Sequence, residues 1–109
     1  MSAEAPKAVV TYLQAKFDQD LDRIVAAFAD DAVVHDEGND HVGADAIRTW
    51  ATGVSTAFEM TRTVLGTRVL GAATLVDVQV AGNFPGSPVD LHHHFTVSDE
   101  RITALTICT

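Results

Sequence analysis

Residues 44–65 read ADAIRTWATGVSTAFEMTRTVL, and the spacing of the apolar side chains changes within them. Ile47, Trp50, Ala51 and Val54 recur at three and four residues, the stripe of a helix that buries one face. From about Phe58 the interval falls to two, the alternation of strands with one covered face. This single change of period organises the chain: helices before it, strands after it.

Working toward the N-terminus, Gly43 precedes the third helix, and Asp45 suits the positive end of its dipole. His41-Val42 reads as a short returning strand. Glu37-Gly38-Asn39-Asp40 is turn material, with Gly and Asn supplying positive φ. Ala32 to Asp36 is the strand that enters this turn. Upstream, Leu21, Ile24, Val25 and Phe28 mark a second helix ended by Asp30 and Asp31, with Asp18 and Asp20 as N-cap candidates. Ala5, Ala8, Val9, Tyr12, Leu13 and Phe17 mark the first, and Pro6 fits its opening turn.

Toward the C-terminus, Phe58 to Leu65 is a strand with a break near Gly66 or Gly71. Thr74 to Ala81 is a strand with Val76, Val78 and Val80 on one face. Residues 82–88 form a loop around Pro85-Gly86. Val89 to Val97 and Arg101 to Thr109 are strands joined by the turn Ser98-Asp99-Glu100. Three helices followed by antiparallel strands predict an α+β fold, a helix layer on one face of a curved sheet. The concave space between the layers is where a small-molecule pocket forms.

The 109 residues fit one domain. At 47% hydrophobic and 20% charged, the chain is globular in composition. Fifteen acidic against seven basic residues give a net charge of −8, which argues against nucleic acid and against an anionic membrane surface. Cys108 is the one cysteine, so no intrachain disulfide or multi-cysteine zinc site is possible, and its place on an apolar strand suggests a buried position. No secretory signal or membrane span is visible, and a cytoplasmic protein is expected.

Few residues stand out as chemical candidates. Asp36 shares strand parity with Ala32 and Val34, so it faces the core if they do. Apolar surroundings would then make it a usable base; the competing reading is a solvated turn carboxylate. Tyr12 lies on the apolar stripe of the first helix as a phenolic donor or as a packing aromatic. His93 shares parity with Val89, Leu91, Phe95 and Val97, as a core histidine or a donor into the pocket. His92 and His94 face the other way and could share a metal with His35, His41 or Glu37, although no closed ligand set is evident and no metal or cofactor is expected. Trp50, Phe84, Phe95 and Leu91 are candidates for the pocket wall.

The run from Tyr12 to Asp36, the segment Gly43 to Trp50 and the segment Leu91 to Ile107 together resemble the ketosteroid-isomerase-like and SnoaL-like proteins of the nuclear-transport-factor-2-like superfamily. The resemblance covers nearly the whole chain and implies a cone of three helices on a strongly curved sheet around an apolar pocket. It also implies homodimers joined through the outer sheet face. In the isomerases a carboxylate moves a proton next to a ketone while a tyrosine and a protonated aspartic acid hold the enolate. On that pattern Asp36 matches the base, Tyr12 matches the tyrosine, and His93 stands in place of the acid. The implied ligand is a small, largely apolar carbonyl compound. The alternatives are a non-catalytic ligand-binding or dimerisation module, and an epoxide-hydrolase-like site acting on water. For the last, no Asp-Arg-Asp set is evident.

Overall fold

The structure is a computed structural model describing residues 5–57, 60–82 and 85–109, the backbone alone for residues 53–57 and 60. Helices α1 (Lys7–Asp18), α2 (Leu21–Ala26) and α3 (Ala44–Ala57) pack on a sheet of strands β1 (Phe28–Asp36), β2 (Asn39–Val42), β3 (Met60–Leu70), β4 (Ala73–Gly82), β5 (Val89–Ser98) and β6 (Arg101–Cys108). The strand order is β2-β1-β6-β5-β4-β3, antiparallel except for the β1–β6 pair. This is the expected α+β cone, three helices on a curved, mainly antiparallel sheet.

Local chemistry sets most boundaries. α1 starts after Pro6 and stops at Gln19, whose left-handed backbone (φ 55°) brings the Asp20 N–H to the Ala15 carbonyl at 2.9 Å. Asp20 then caps α2, its side chain accepting from the Arg23 N–H at 3.3 Å. Asp18, the other cap candidate, is the last residue of α1. Gly43 (φ +89°) turns the chain from β2 into α3.

The core joins the two periodicities. Val9, Tyr12, Ala15, Ile24, Ile47 and Ala51 from the helices meet Val34, Val76, Phe95, Ile102 and Leu105 from the sheet, all at most 1% exposed. The alternation in β4 holds: Thr74, Val76, Val78 and Val80 are buried and the residues between them are less so.

Three expectations are corrected. Phe28 opens β1 instead of ending α2, because it pairs with Ile102 and the Ile102 N–H bonds the Ala27 carbonyl. Asn39 lies in β2 opposite Asp36, so Glu37 and Gly38 alone make the turn, both with positive φ. The break in β3 falls at Gly71, whereas near Gly66 the register only shifts. The expected positions of Phe58 and Phe84 lie outside the described residues, as does the side chain of Val54. No helix among the described residues is long and apolar enough to cross a membrane.

Candidate functional site

The open end of the cone holds a cavity of about 1030 Å³. Leu13, Val78, Val80, Val89, Leu91 and Ile107 supply apolar wall; Tyr12, Lys16, Asp36, Arg62 and His93 supply ionisable groups.

Asp36 sits where β1 ends. Its parity follows buried Ala32 and Val34, and it is half-buried on the cavity wall. Trp50 Nε1–H donates to Asp36 Oδ2 at 3.0 Å. That bond fixes the carboxylate and leaves Oδ1 with no donor among the described residues. Trp50 itself is 6% exposed and lines the cavity from α3. Glu37, next in sequence, is exposed.

Tyr12 is fully buried, with Phe28 and Phe95 edge-on to its ring, each at 5.5 Å between centroids. Its hydroxyl, covered in the cavity wall, has no hydrogen-bond partner among the described residues. Such an unmade bond costs on the order of 1–3 kcal/mol. Burial raises the Tyr12 pKa, Arg62 opposes that, and Asp36 adds to it, so the phenol keeps its proton.

His93 is buried and stacks on Phe95, with Nδ1 3.4 Å from the Leu91 carbonyl. Burial pushes its pKa down to about 4, so the ring is uncharged at neutral pH. Two tautomers are possible. With the proton on Nδ1, His93 donates to Leu91 and Nε2 can only accept; with the proton on Nε2, it donates and forgoes Leu91.

Leu91 lines the cavity as expected, whereas Phe95 stands behind the wall, completely buried against Tyr12 and His93. Phe84 lies outside the described residues. His92 Nδ1 lies 2.6 Å from Asp77 Oδ1 on the outer face, and His35 pairs with Asp40. Among the described residues no three His, Cys, Asp or Glu side chains converge to hold a metal. Cys108 is exposed rather than buried, because it is the last residue of β6, beyond the part of the strand that the helices cover.

Two cavity residues escape the sequence reading. Lys16, 6% exposed, lies over the Trp50 ring with Nζ 5.1 Å from the centroid. Burial, then Arg62, pushes its pKa down to about 8, while Asp36 opposes them. Its signal was present in the spacing, since it follows Tyr12 by four residues and Leu13 by three. Arg62 is half-buried, and burial lowers its pKa as well. It stands opposite inward-facing Val80 on the neighbouring strand, a relation that only the β3–β4 register reveals. Asp36 and Arg62 therefore share the cavity, but no second Asp lines it.

A family model described as the SnoaL-like domain matches residues 9–105. A Sinorhizobium meliloti protein proposed to be a polyketide cyclase is 40% identical, with a TM-score of 0.91 over 95% of both chains. An LEH-like epoxide hydrolase from M. tuberculosis is 25% identical, with a TM-score of 0.76 over 94% of this chain and 79% of that one. A Catenulispora acidiphila protein of ketosteroid-isomerase-like fold, in complex with trimethylamine, is 18% identical (TM-score 0.82, covering 97% and 87%) and shares the fold. The search of curated proteins finds no match.

Proposed function

The chain belongs to the SnoaL-like family of the nuclear-transport-factor-2-like superfamily, and from that premise we propose that it binds a small carbonyl compound and moves a proton next to the carbonyl group. The observation that carries this reading is the Asp36 carboxylate, tethered through Oδ2 by Trp50, in the wall of a cavity that also holds the Tyr12 phenol; among the described residues neither Asp36 Oδ1 nor the phenol has a partner.

In this reading Asp36 takes the proton from the carbon beside the carbonyl and returns it to the enolate carbon skeleton. Negative charge grows meanwhile on the carbonyl oxygen. Tyr12 O–H donates to that oxygen, and its hydroxyl has no other partner among the described residues to give up. His93 donates only from Nε2, at the expense of the Leu91 contact, so it is the weaker of the two donors. The same family resemblance supports a homodimer joined through the outer face of the sheet as part of this proposal.

Exchange of the α-protons of a panel of enones and β-dicarbonyls into deuterated water, followed by NMR, tests the reading. Asp36→Asn should slow exchange by roughly 10²–10⁴-fold, the span of general-base catalysis. Equal rates in wild type and variant would remove Asp36 as the base. The position of His93, with Nδ1 turned toward Leu91, favours a second reading: a ligand-binding module without catalysis. It predicts saturable binding of panel members with no exchange above the buffer rate in wild type.

A further inference from the structure

Lys16 and Arg62 have no place in the proton transfer just described. Both line the cavity, Lys16 as the more deeply buried. Neither has a carboxylate within ion-pair distance, nor a hydrogen bond, among the described residues. Every ion pair those residues form lies elsewhere, at Arg23–Asp18, His35–Asp40, Arg48–Asp22, His92–Asp77 and Arg101–Asp30.

A protein with 15 acidic and 7 basic residues has carboxylates to spare for its cations. Here two of the seven cations line a cavity whose side-chain carboxylates among the described residues are half-buried Asp36 and exposed Glu37, neither in an ion pair with them. Asp36 is bound to Trp50 through Oδ2 and forms no ion pair with either cation. The aromatic face under Lys16 offsets part of its desolvation. It leaves both cations in the cavity without a contacting carboxylate among the described residues, and buried charges are as a rule paired.

We propose that the ligand of this cavity carries an anionic oxygen group, a carboxylate, seated between the Lys16 ammonium and the Arg62 guanidinium. The Arg fork matches the two oxygens of a carboxylate, and Lys16 adds a charge-assisted bond from the helix side. The ligand is then a keto acid or aromatic acid whose apolar body covers Val78, Val80 and Leu91. The inference rests on the reading that the cavity binds a ligand; it does not require Asp36 to be a base.

Calorimetric titration of three matched pairs, each a carboxylate and its neutral methyl ester, tests the assignment: benzoate, 2-naphthoate and biphenyl-4-carboxylate. Wild type should bind at least one carboxylate ten times or more tighter than its ester. Lys16→Met and Arg62→Gln should each reduce that preference to threefold or less, with ester affinity unchanged within about twofold. Arg62 is half-exposed, so its variant keeps the test decisive if Lys16→Met fails to fold. Esters binding as well as acids, a preference that survives in Arg62→Gln, or no binding by any probe at 1 mM would overturn it. Asp36→Asn separates this inference from the proposed catalysis. Carboxylate preference kept while exchange is lost supports both, and preference kept where wild type shows no exchange supports the anion site alone.

Discussion

The folded cavity disfavours the charged form of both His93 and Lys16, and both leave a mark on stability. The His93 pKa falls to about 4 from 6.5, chiefly through burial, with Lys16 and Arg62 adding to the fall and Leu91 and Asp36 opposing it. Between those values the unfolded chain binds the proton and the folded chain does not. Stability present above about pH 6.5 is therefore lost as pH falls toward 4. The unfolding free energy measured with urea should drop across that window by more in wild type than in His93→Gln, by on the order of 2 kcal/mol. Lys16 is lowered from 10.5 to about 8, so its contribution rises with pH between those values, once the folded chain has shed the proton that the unfolded chain keeps. Lys16→Met should be more stable than wild type at pH 7, and the gap should narrow by pH 10. Of these residues Asp36, Tyr12 and His93 were legible as candidates, because parity and helical spacing place each on an apolar face. Lys16 stood on that stripe too, but a lysine in a helical pattern reads first as a solvated side chain. The tautomer conflict at His93 depends on a backbone carbonyl that no pattern discloses.

At the scale of elements, two of the tight hairpins make a contrast. Glu37-Gly38 joins β1 to β2 and Asp99-Glu100 joins β5 to β6, all four residues with positive φ. Two-residue turns of this kind match the twist of the strands and favour glycine at the second position. Gly38 meets that demand, whereas Glu100, at φ 64°, holds a left-handed conformation that costs a side-chain-bearing residue about 1 kcal/mol. Glu100→Gly should raise stability by about 0.5–1 kcal/mol, read as a higher urea midpoint with an unchanged slope. The helices and strands after Gly43 followed from their periods. Phe28 did not, since its spacing from Ile24 and Val25 is helical, and pairing with Ile102 near the far end of the chain overrides that local signal.

For the whole molecule, the sheet divides the chain into a closed inner face and an open outer one. The outer positions of β4 and β5 carry Asp77, Gln79, His92 and His94, linked across the strands by the Asp77–His92 bond. Val42 and Leu70, on the two edge strands, are 63% and 56% exposed. The homodimer proposed for this face should sediment with the mass of two chains at micromolar concentration, and a monomer mass would sink it. The net charge of −8 lies mostly on the surface, while Lys16, Arg62, Asp36 and Glu37 are among the charged residues that line the cavity.

The sequence by itself determined the order of elements, the inward parity of Asp36 and His93, and the family pattern. These depend on periods of two and 3.6 residues, which are local properties of the chain. Only the tertiary structure decided that Arg62 faces the same cavity as Lys16, and that Trp50 ties down Asp36. It also left the Tyr12 hydroxyl without a partner among the described residues. Each of those facts joins residues from different elements, and the strand register and the seating of the helices bring them together.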